Sequence, residues 1–496
     1  MKFFSKAIGL LYFVMIIFIL VLVFLYGNTP YINQRSFVNN NVFTIFAFIT
    51  LLLLFLQKKI DIKKSTYYKG LIIGFFILFT IQLIIVTYGY FTPTWDAGHL
   101  NRTVNYFHSY GVIDDMEYMT RYPNNSMLTF LLILIRSIPY LGRSNFILLL
   151  INCVLVNLSG LFTSLSIKNV TSNNRLALLS YFIIAPLVVL SPWIMVIYSD
   201  TFAILFPILI FYIFSKKHRD YRDYFFICFL AVFGYFIKPT VIIILLAIIF
   251  AKLVVNIKNI LSIKRWKLKN ILKISMISLL GVIVSLSLNN AGKVYMQYEK
   301  VDNVVQFSML HFIAMGLNEE TQGIYNGQDV EDTINLGNEQ NIDKIKERMS
   351  GRSFKEHLDF YAKKSLINFN DGSFAWGQEG SFFLNVKESL NPITLFIQKT
   401  FSYHGNDTKY FIVVQILWLT VLFLLPFILL KNASSENILV LMLAIIGISL
   451  FLTIFEARAR YLYCYSPIFI VAAAKGLFNI KDFFDLTFNK MKRRCD

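Results

Sequence analysis

Long uninterrupted apolar runs, and not alternation, organise this chain. Positions 7–25, 71–90 and 411–430 hold Phe, Ile, Leu and Val almost without a polar residue. Each reaches the ~20 residues that a helix needs to cross the hydrocarbon layer. Barrel strands would show segments of about ten residues alternating apolar and polar, and the runs do not alternate. The pattern predicts an all-α polytopic membrane protein with twelve spans, at 7–26, 41–57, 70–90, 145–167, 176–192, 201–215, 223–237, 239–254, 271–289, 411–430, 437–454 and 462–479. A further apolar stretch, 127–141, is short for a span and carries Arg136 and Pro139. It reads as a helix lying at the surface or dipping partway in.

Between the spans two regions are long and polar enough to fold. This divides the chain into 1–90 (spans), 91–144 (first loop with surface helices), 145–289 (spans), 290–410 (large loop, with a helical-looking run over 341–369) and 411–496 (spans and a basic tail). The basic start and long first run, with no small-residue cleavage site after it, predict an uncleaved first span.

Charge sets the expected orientation. With the N-terminus inside, the inner loops collect Lys58, Lys59, Lys63, Lys64 and Lys69, then Lys168 and Arg175, then Lys216, Lys217, Arg219 and Arg222. The next inner loop holds Lys252, Lys258, Lys264, Arg265, Lys267 and Lys269, and the tail Lys490, Lys492, Arg493 and Arg494. Short outer connections keep only Arg35, Lys238, Arg458 and Arg460. This bias predicts cytoplasmic termini in a plasma membrane, with both large loops outside. The net charge of +18 is then a mark of inner loops facing anionic lipid. No basic stripe on a soluble domain calls for nucleic acid as a partner. Cys153, Cys228, Cys464 and Cys495 lack CxxC spacing, which argues against a disulfide framework or a zinc site.

Candidate chemistry gathers at the expected outer ends of spans. Thr94-Trp95-Asp96-Ala97-Gly98-His99 follows the third span, then Arg121-Tyr122-Pro123-Asn124-Asn125. A carboxylate at a span exit suits a general base, with His99 on the same helix face; Asp96 equally suits a helix cap. Tyr198-Ser199-Asp200 emerges on the same expected face, with the same two readings. Together the two acids suit an acceptor or a divalent cation, the one cofactor this pattern suggests. Glu456-Ala457-Arg458-Ala459-Arg460-Tyr461 places two guanidinium forks at a membrane edge, where they suit a lipid phosphate or internal ion pairs. Lys238 suits either a snorkelling side chain or part of the same phosphate site. Asp371-Gly372-Ser373-Phe374-Ala375-Trp376-Gly377 reads as a carbohydrate-facing loop or as simple turn chemistry.

At these residues the chain resembles the GT-C superfamily of membrane glycosyltransferases, which includes protein O-mannosyltransferases and the aminoarabinose transferases of lipid A. The match rests on Asp96, Tyr122-Pro123 and Asp200. Lys238-Pro239-Thr240, His311…Met315-Gly316-Leu317 and the Glu456–Tyr461 stretch are similar to multi-pass proteins of Gram-positive bacteria that add sugars to cell-wall polymers. The usual Asp-Glu pair is Asp96-Ala97 here, which leaves Asp114, Asp115 or Glu117 to supply a second acid. The resemblance implies a sugar donor on a polyprenyl phosphate and a polysaccharide or teichoic-acid-like acceptor. Asp96 would be the base, with inversion at the anomeric carbon. Asp200, His99, Tyr122 and Asn124 would place the acceptor or a cation, and Arg458, Arg460 and Lys238 would hold the donor phosphate. A polysaccharide polymerase or ligase and a lipid-linked sugar flippase are the alternatives; a flippase should carry charges inside its spans.

Overall fold

The structure, a computed structural model, describes residues 2–27, 40–56, 61–138, 144–260, 265–376, 391–401, 409–431 and 433–495. Among them every regular element is a helix. Arg35, Lys58, Lys59, Pro139, Lys264 and Gly377 of the sequence reading lie outside the described residues. Three apolar helices come first: α1 (Lys2–Tyr26), α2 (Asn40–Leu56) and α3 (Lys64–Gly89). The first loop then forms α4 (Trp95–Tyr110), α5 (Met116–Arg121) and α6 (Ser126–Arg136). At 11 residues, α6 spans about 16 Å, roughly half the hydrocarbon thickness, which accords with a helix that does not cross.

Next come α7 (Phe146–Thr171), α8 (Asn174–Ile183), α9 (Ser199–Ala203), α10 (Leu205–Phe214), α11 (Tyr221–Ile237), α12 (Ile242–Ile260) and α13 (Arg265–Tyr295). The large loop contributes α14 (Met309–Gly316), α15 (Gly327–Thr333), α16 (Asn338–Ser350), α17 (Phe354–Phe369) and α18 (Pro392–Phe401). The run expected over 341–369 is thus two helices; the second is capped by Ser353, whose hydroxyl accepts from the Glu356 N–H. The chain closes with α19 (Lys409–Leu424), α20 (Glu436–Ile454), α21 (Arg460–Tyr463) and α22 (Ser466–Cys495).

Six helices among the described residues are long and apolar enough to cross a membrane: Phe3–Tyr26, Lys64–Gly89, Phe146–Thr171, Asn270–Tyr295, Lys409–Leu430 and Glu436–Ile454. Ile45–Leu54, Ser199–Phe214 and Pro239–Val255 are apolar but shorter. This is an all-α membrane protein; among the described residues six helices have the length and composition of full spans, where the hydropathy pattern predicts twelve. Leu-, Ile- and Phe-rich faces of α1, α3 and α13 stay exposed, as lipid-facing surfaces do.

The fifth predicted span, 176–192, departs most from expectation. Its helix stops at Ile183. Pro186 and Pro192 follow, and each removes an N–H and obstructs a continuing helix. Turns run from Ile184, then a 3₁₀ turn over Pro192–Met195. Irregular backbone deep in an apolar bundle needs partners from its neighbours, and it has them. Gln82 Nε2 donates to the Val189 carbonyl at 2.7 Å, and the Tyr463 hydroxyl to that of Val188 at 2.9 Å. Asn152 Nδ2 donates to the carbonyls of Ile194 (2.9 Å) and Val196 (3.2 Å). Close helix contact makes room for this: a Cβ at Gly160 would come within 2.6 Å of Val189 Cγ2. The broken span ends at Tyr198 and delivers Asp200 on the short helix α9.

Candidate active site

Asp96 lies in the first turn of α4, yet its side chain caps nothing. Instead Oδ1 accepts from the Tyr118 hydroxyl at 3.0 Å and Oδ2 from the Tyr198 hydroxyl at 3.1 Å. Asn125 Nδ2 donates to the Tyr118 oxygen at 2.8 Å, so the Tyr118 proton points at the carboxylate. Burial, and next the Asp96 charge, push the Tyr118 phenol well above its ordinary range, which keeps it a donor. His99 stacks on the Tyr118 ring with centroids 4.8 Å apart, and its Nδ1 lies 3.6 Å from Asp115 Oδ2 and 2.8 Å from an Arg102 nitrogen.

Asp200 is dressed differently. It is 1% exposed, with Lys238 Nζ at 2.5 Å from Oδ1 and Arg460 Nε at 3.1 Å from Oδ2. Aromatic rings wall the Arg460 guanidinium, with Trp95 at 4.7 Å, Tyr198 at 5.5 Å and Tyr461 at 5.8 Å. Tyr198 touches Trp95 edge-on at 5.1 Å. Through Tyr198, Trp95 and Arg460 the two acids therefore share one site.

Arg458 and Glu456 complete it. Arg458 Nε lies 2.7 Å from Glu456 Oε1, and the Tyr461 hydroxyl donates to Oε2 at 2.9 Å. Both arginines of this stretch thus make internal ion pairs, Arg458 with Glu456 and Arg460 with Asp200, and Lys238, read from sequence as a snorkelling or phosphate-binding side chain, is also paired with Asp200. The large loop is laid directly on the same segment. The Ala457 N–H donates to the Gly323 carbonyl at 2.7 Å, and a Cβ at Gly316 would sit 2.4 Å from the Phe455 carbonyl carbon. The loop also brings Tyr325, whose ring lies 5.5 Å from the Arg458 guanidinium.

Residues 1–478 match the family described as conserved hypothetical integral membrane protein. The chain belongs to that family. No curated protein matches it. Among solved structures it is similar to the archaeal oligosaccharyltransferase AglB from Archaeoglobus fulgidus in complex with an inhibitory peptide and a dolichol-phosphate, at 14% identity and a TM-score of 0.43. That likeness covers 87% of this chain and 52% of the other, so the chain spans about half the length of that structure.

Within this family member the remaining sequence candidates fall at differing distances from the two acids. Tyr122 packs on Tyr118 at 5.0 Å and against Phe307 at 5.1 Å. Asn124 is exposed and donates weakly to Asn125 Oδ1 at 3.4 Å; its neighbour Asn125, the last residue of the same motif, is the one that touches Tyr118. Of the proposed second acids, Asp115 caps α5, Glu117 pairs with Arg121 at 3.0 Å, and Asp114 is exposed. Among the described residues no three His, Cys, Asp or Glu side chains gather as metal ligands. Asp200 already carries two cations, so its donor set does not suit a divalent ion.

Asp371 forms a buried turn. Its oxygens accept from the Ser373 N–H, the Ser373 hydroxyl and the Ala375 N–H, all at 2.7 Å. Phe374 and Trp376 are fully buried against Trp418, Tyr463 and Trp193. The carbohydrate-facing reading of this stretch is therefore corrected to turn chemistry. Tyr118 lies outside every motif of the sequence reading, and only the fold brings it together with Trp95, Asn125 and Tyr325.

Proposed function

We propose that this protein is a GT-C-type glycosyltransferase that moves a sugar from a polyprenyl-phosphate carrier to a hydroxyl acceptor on the extracytoplasmic side. The observation that carries it is the pairing, in one aromatic-walled site, of a half-buried carboxylate held by neutral hydroxyls with a cluster of buried cations. Each Asp96 oxygen accepts one tyrosine hydroxyl and keeps a second lone pair. Asp96 uses that lone pair to take the acceptor's proton. The acceptor oxygen bonds to the anomeric carbon as the carbon–oxygen bond to the phosphate breaks, with inversion. The leaving polyprenyl phosphate gains negative charge, which cations stabilise most in a water-poor site.

Two cations share the single Asp200 carboxylate, which holds Lys238 and Arg460 together beside Trp95. This makes Asp200 a positioning residue that holds Lys238 and Arg460, in place of the acceptor- or cation-binding role expected from sequence. The surrounding rings of Trp95, Tyr122, Tyr325 and Tyr461 suit the faces of a sugar. The acceptor is read as a cell-wall polysaccharide or teichoic-acid-like chain, and the regions 91–144 and 290–410 as the extracytoplasmic units that receive it.

Purified protein offered a panel of synthetic polyprenyl-phosphate sugars tests this reading. The expected result is stoichiometric release of lipid phosphate as sugar reaches the acceptor. Movement of intact lipid-linked sugar across a vesicle membrane without release would establish the flippase instead. Orientation has its own test: a cysteine introduced at Asn338 should react with an impermeant reagent on intact cells, and reaction only after permeabilisation would reverse the topology.

A further inference from the structure

Arg136 ends α6, some 11 residues from Asn125, so about 16 Å of helix separates it from the site above. It is 7% exposed. One bond engages its guanidinium: Nη2 donates to Asn105 Oδ1 at 2.9 Å. Nε and Nη1 are buried and without a hydrogen-bond partner. Arginine keeps its proton in proteins, so the fold encloses a full positive charge here.

Among the described residues, the helices that α6 packs against most supply no counter-charge. Helix α6 packs against α4, α7, α11 and α13. The acid of α4 is Asp96, engaged by two tyrosines, and that of α11 is Asp223, paired with Lys216 at 2.7 Å. Helices α7 and α13 contain no acid, and none occurs in sequence between Glu117 and Asp200. Enclosing an unpaired ion is strongly unfavourable, so the guanidinium is built to receive an anion.

The surroundings name its source. Phe130 of α6 lies against Gly292 and Tyr295 at the end of α13, and α6 also packs on α7. Helix α6 therefore sits where the long apolar helix α13 terminates. Leu134 and Ile138 flank Arg136 in the chain and Tyr106 follows its partner Asn105, and each of the three is 40% exposed, an apolar surface beside the guanidinium. A cation just beneath an apolar rim at helix ends is placed for the headgroup layer of a bilayer. We propose that Arg136 is a site for the phosphate of a bilayer phospholipid, distinct from the site around Asp96.

The test compares full-length protein in detergent with added phosphatidylglycerol, a phosphate-free glucosyl diacylglycerol, or inorganic phosphate. Phosphatidylglycerol should raise the melting temperature by several degrees, and the phosphate-free lipid should not. In Arg136→Met that shift should vanish, although the variant in detergent alone should melt no lower than the parent, since an unpaired buried charge is gone. Arg136→Lys keeps the charge and should keep part of the shift. Native mass spectrometry should show retention of phosphatidylglycerol about tenfold or more weaker in Arg136→Met, as loss of a charged hydrogen bond implies. A full lipid shift in Arg136→Met, or equal shifts by both lipids in the parent, would overturn the site. Inorganic phosphate reproducing an Arg136-dependent shift would overturn the lipid as its source.

Discussion

Asp96 and Asp200 each sit in the first turn of a helix in one shared site, yet their carboxylates are dressed in opposite ways. Asp96 accepts from two neutral phenols and stays half-buried. Asp200 is enclosed and carries a lysine and an arginine. Neutral donors hold a carboxylate in place and leave its negative charge uncancelled for a proton. Cations cancel that charge, and a doubly paired, buried acid becomes an anchor. Under the proposed function one residue type serves chemistry in the first setting and architecture in the second, and the partners decide which.

Substitution separates the two roles. The largest effect is expected for Asp96→Asn, which keeps size but cannot take a hydroxyl proton. Sugar transfer should fall about a hundred- to ten-thousandfold, measured at saturating donor, with little change in melting. Asp200→Asn comes next. Two buried cations lose their acid, and breaking a buried pair costs roughly 3–5 kcal/mol, so folded yield and melting temperature should drop.

Arg460→Ala should weaken donor use by about ten- to a hundredfold, from a lost charge-assisted contact of about 1.5–3 kcal/mol, read as a rise in donor KM. Arg458→Ala should do less, because Arg458 already has its own acid, Glu456; a larger loss there would exchange their roles.

The smallest effect lies in the large loop. Burial pulls Lys364 down from 10.5 to about 7, and its amine donates to the carbonyl of Gly316, the glycine whose Cα lies close against the Phe455 backbone. Between pH 7 and 10.5 the unfolded chain binds a proton there that the folded chain does not. Stability should therefore rise with pH across that window and be lost as pH falls toward 7. Thermal melts of Lys364→Met should lack this slope.

The apolar runs made the helices legible, and span-end chemistry pointed to Asp96, Asp200, Lys238, Arg458 and Arg460. The interrupted fifth span was less legible. Its hydropathy is continuous, and the prolines break it only because Gln82, Asn152 and Tyr463 stand ready to satisfy its carbonyls. Which acid would meet which base was not legible at all. Arg460 and Asp200 are 260 positions apart in the chain, and no local spacing encodes their meeting. The same holds for Tyr118, which reaches Asp96 because the connection from Gly111, left-handed at the end of α4, to Asp115, the cap of α5, folds α5 back toward α4. Asn124 and Asn125 are adjacent in sequence, and only the packing selects the second.

The account is tested most directly by measuring melting and sugar transfer on the same preparations of Asp96→Asn and Asp200→Asn. It predicts a crossing: Asp96→Asn melts like the parent and transfers almost no sugar, whereas Asp200→Asn melts early and its folded fraction still transfers. Near-parental transfer by well-folded Asp96→Asn would contradict it.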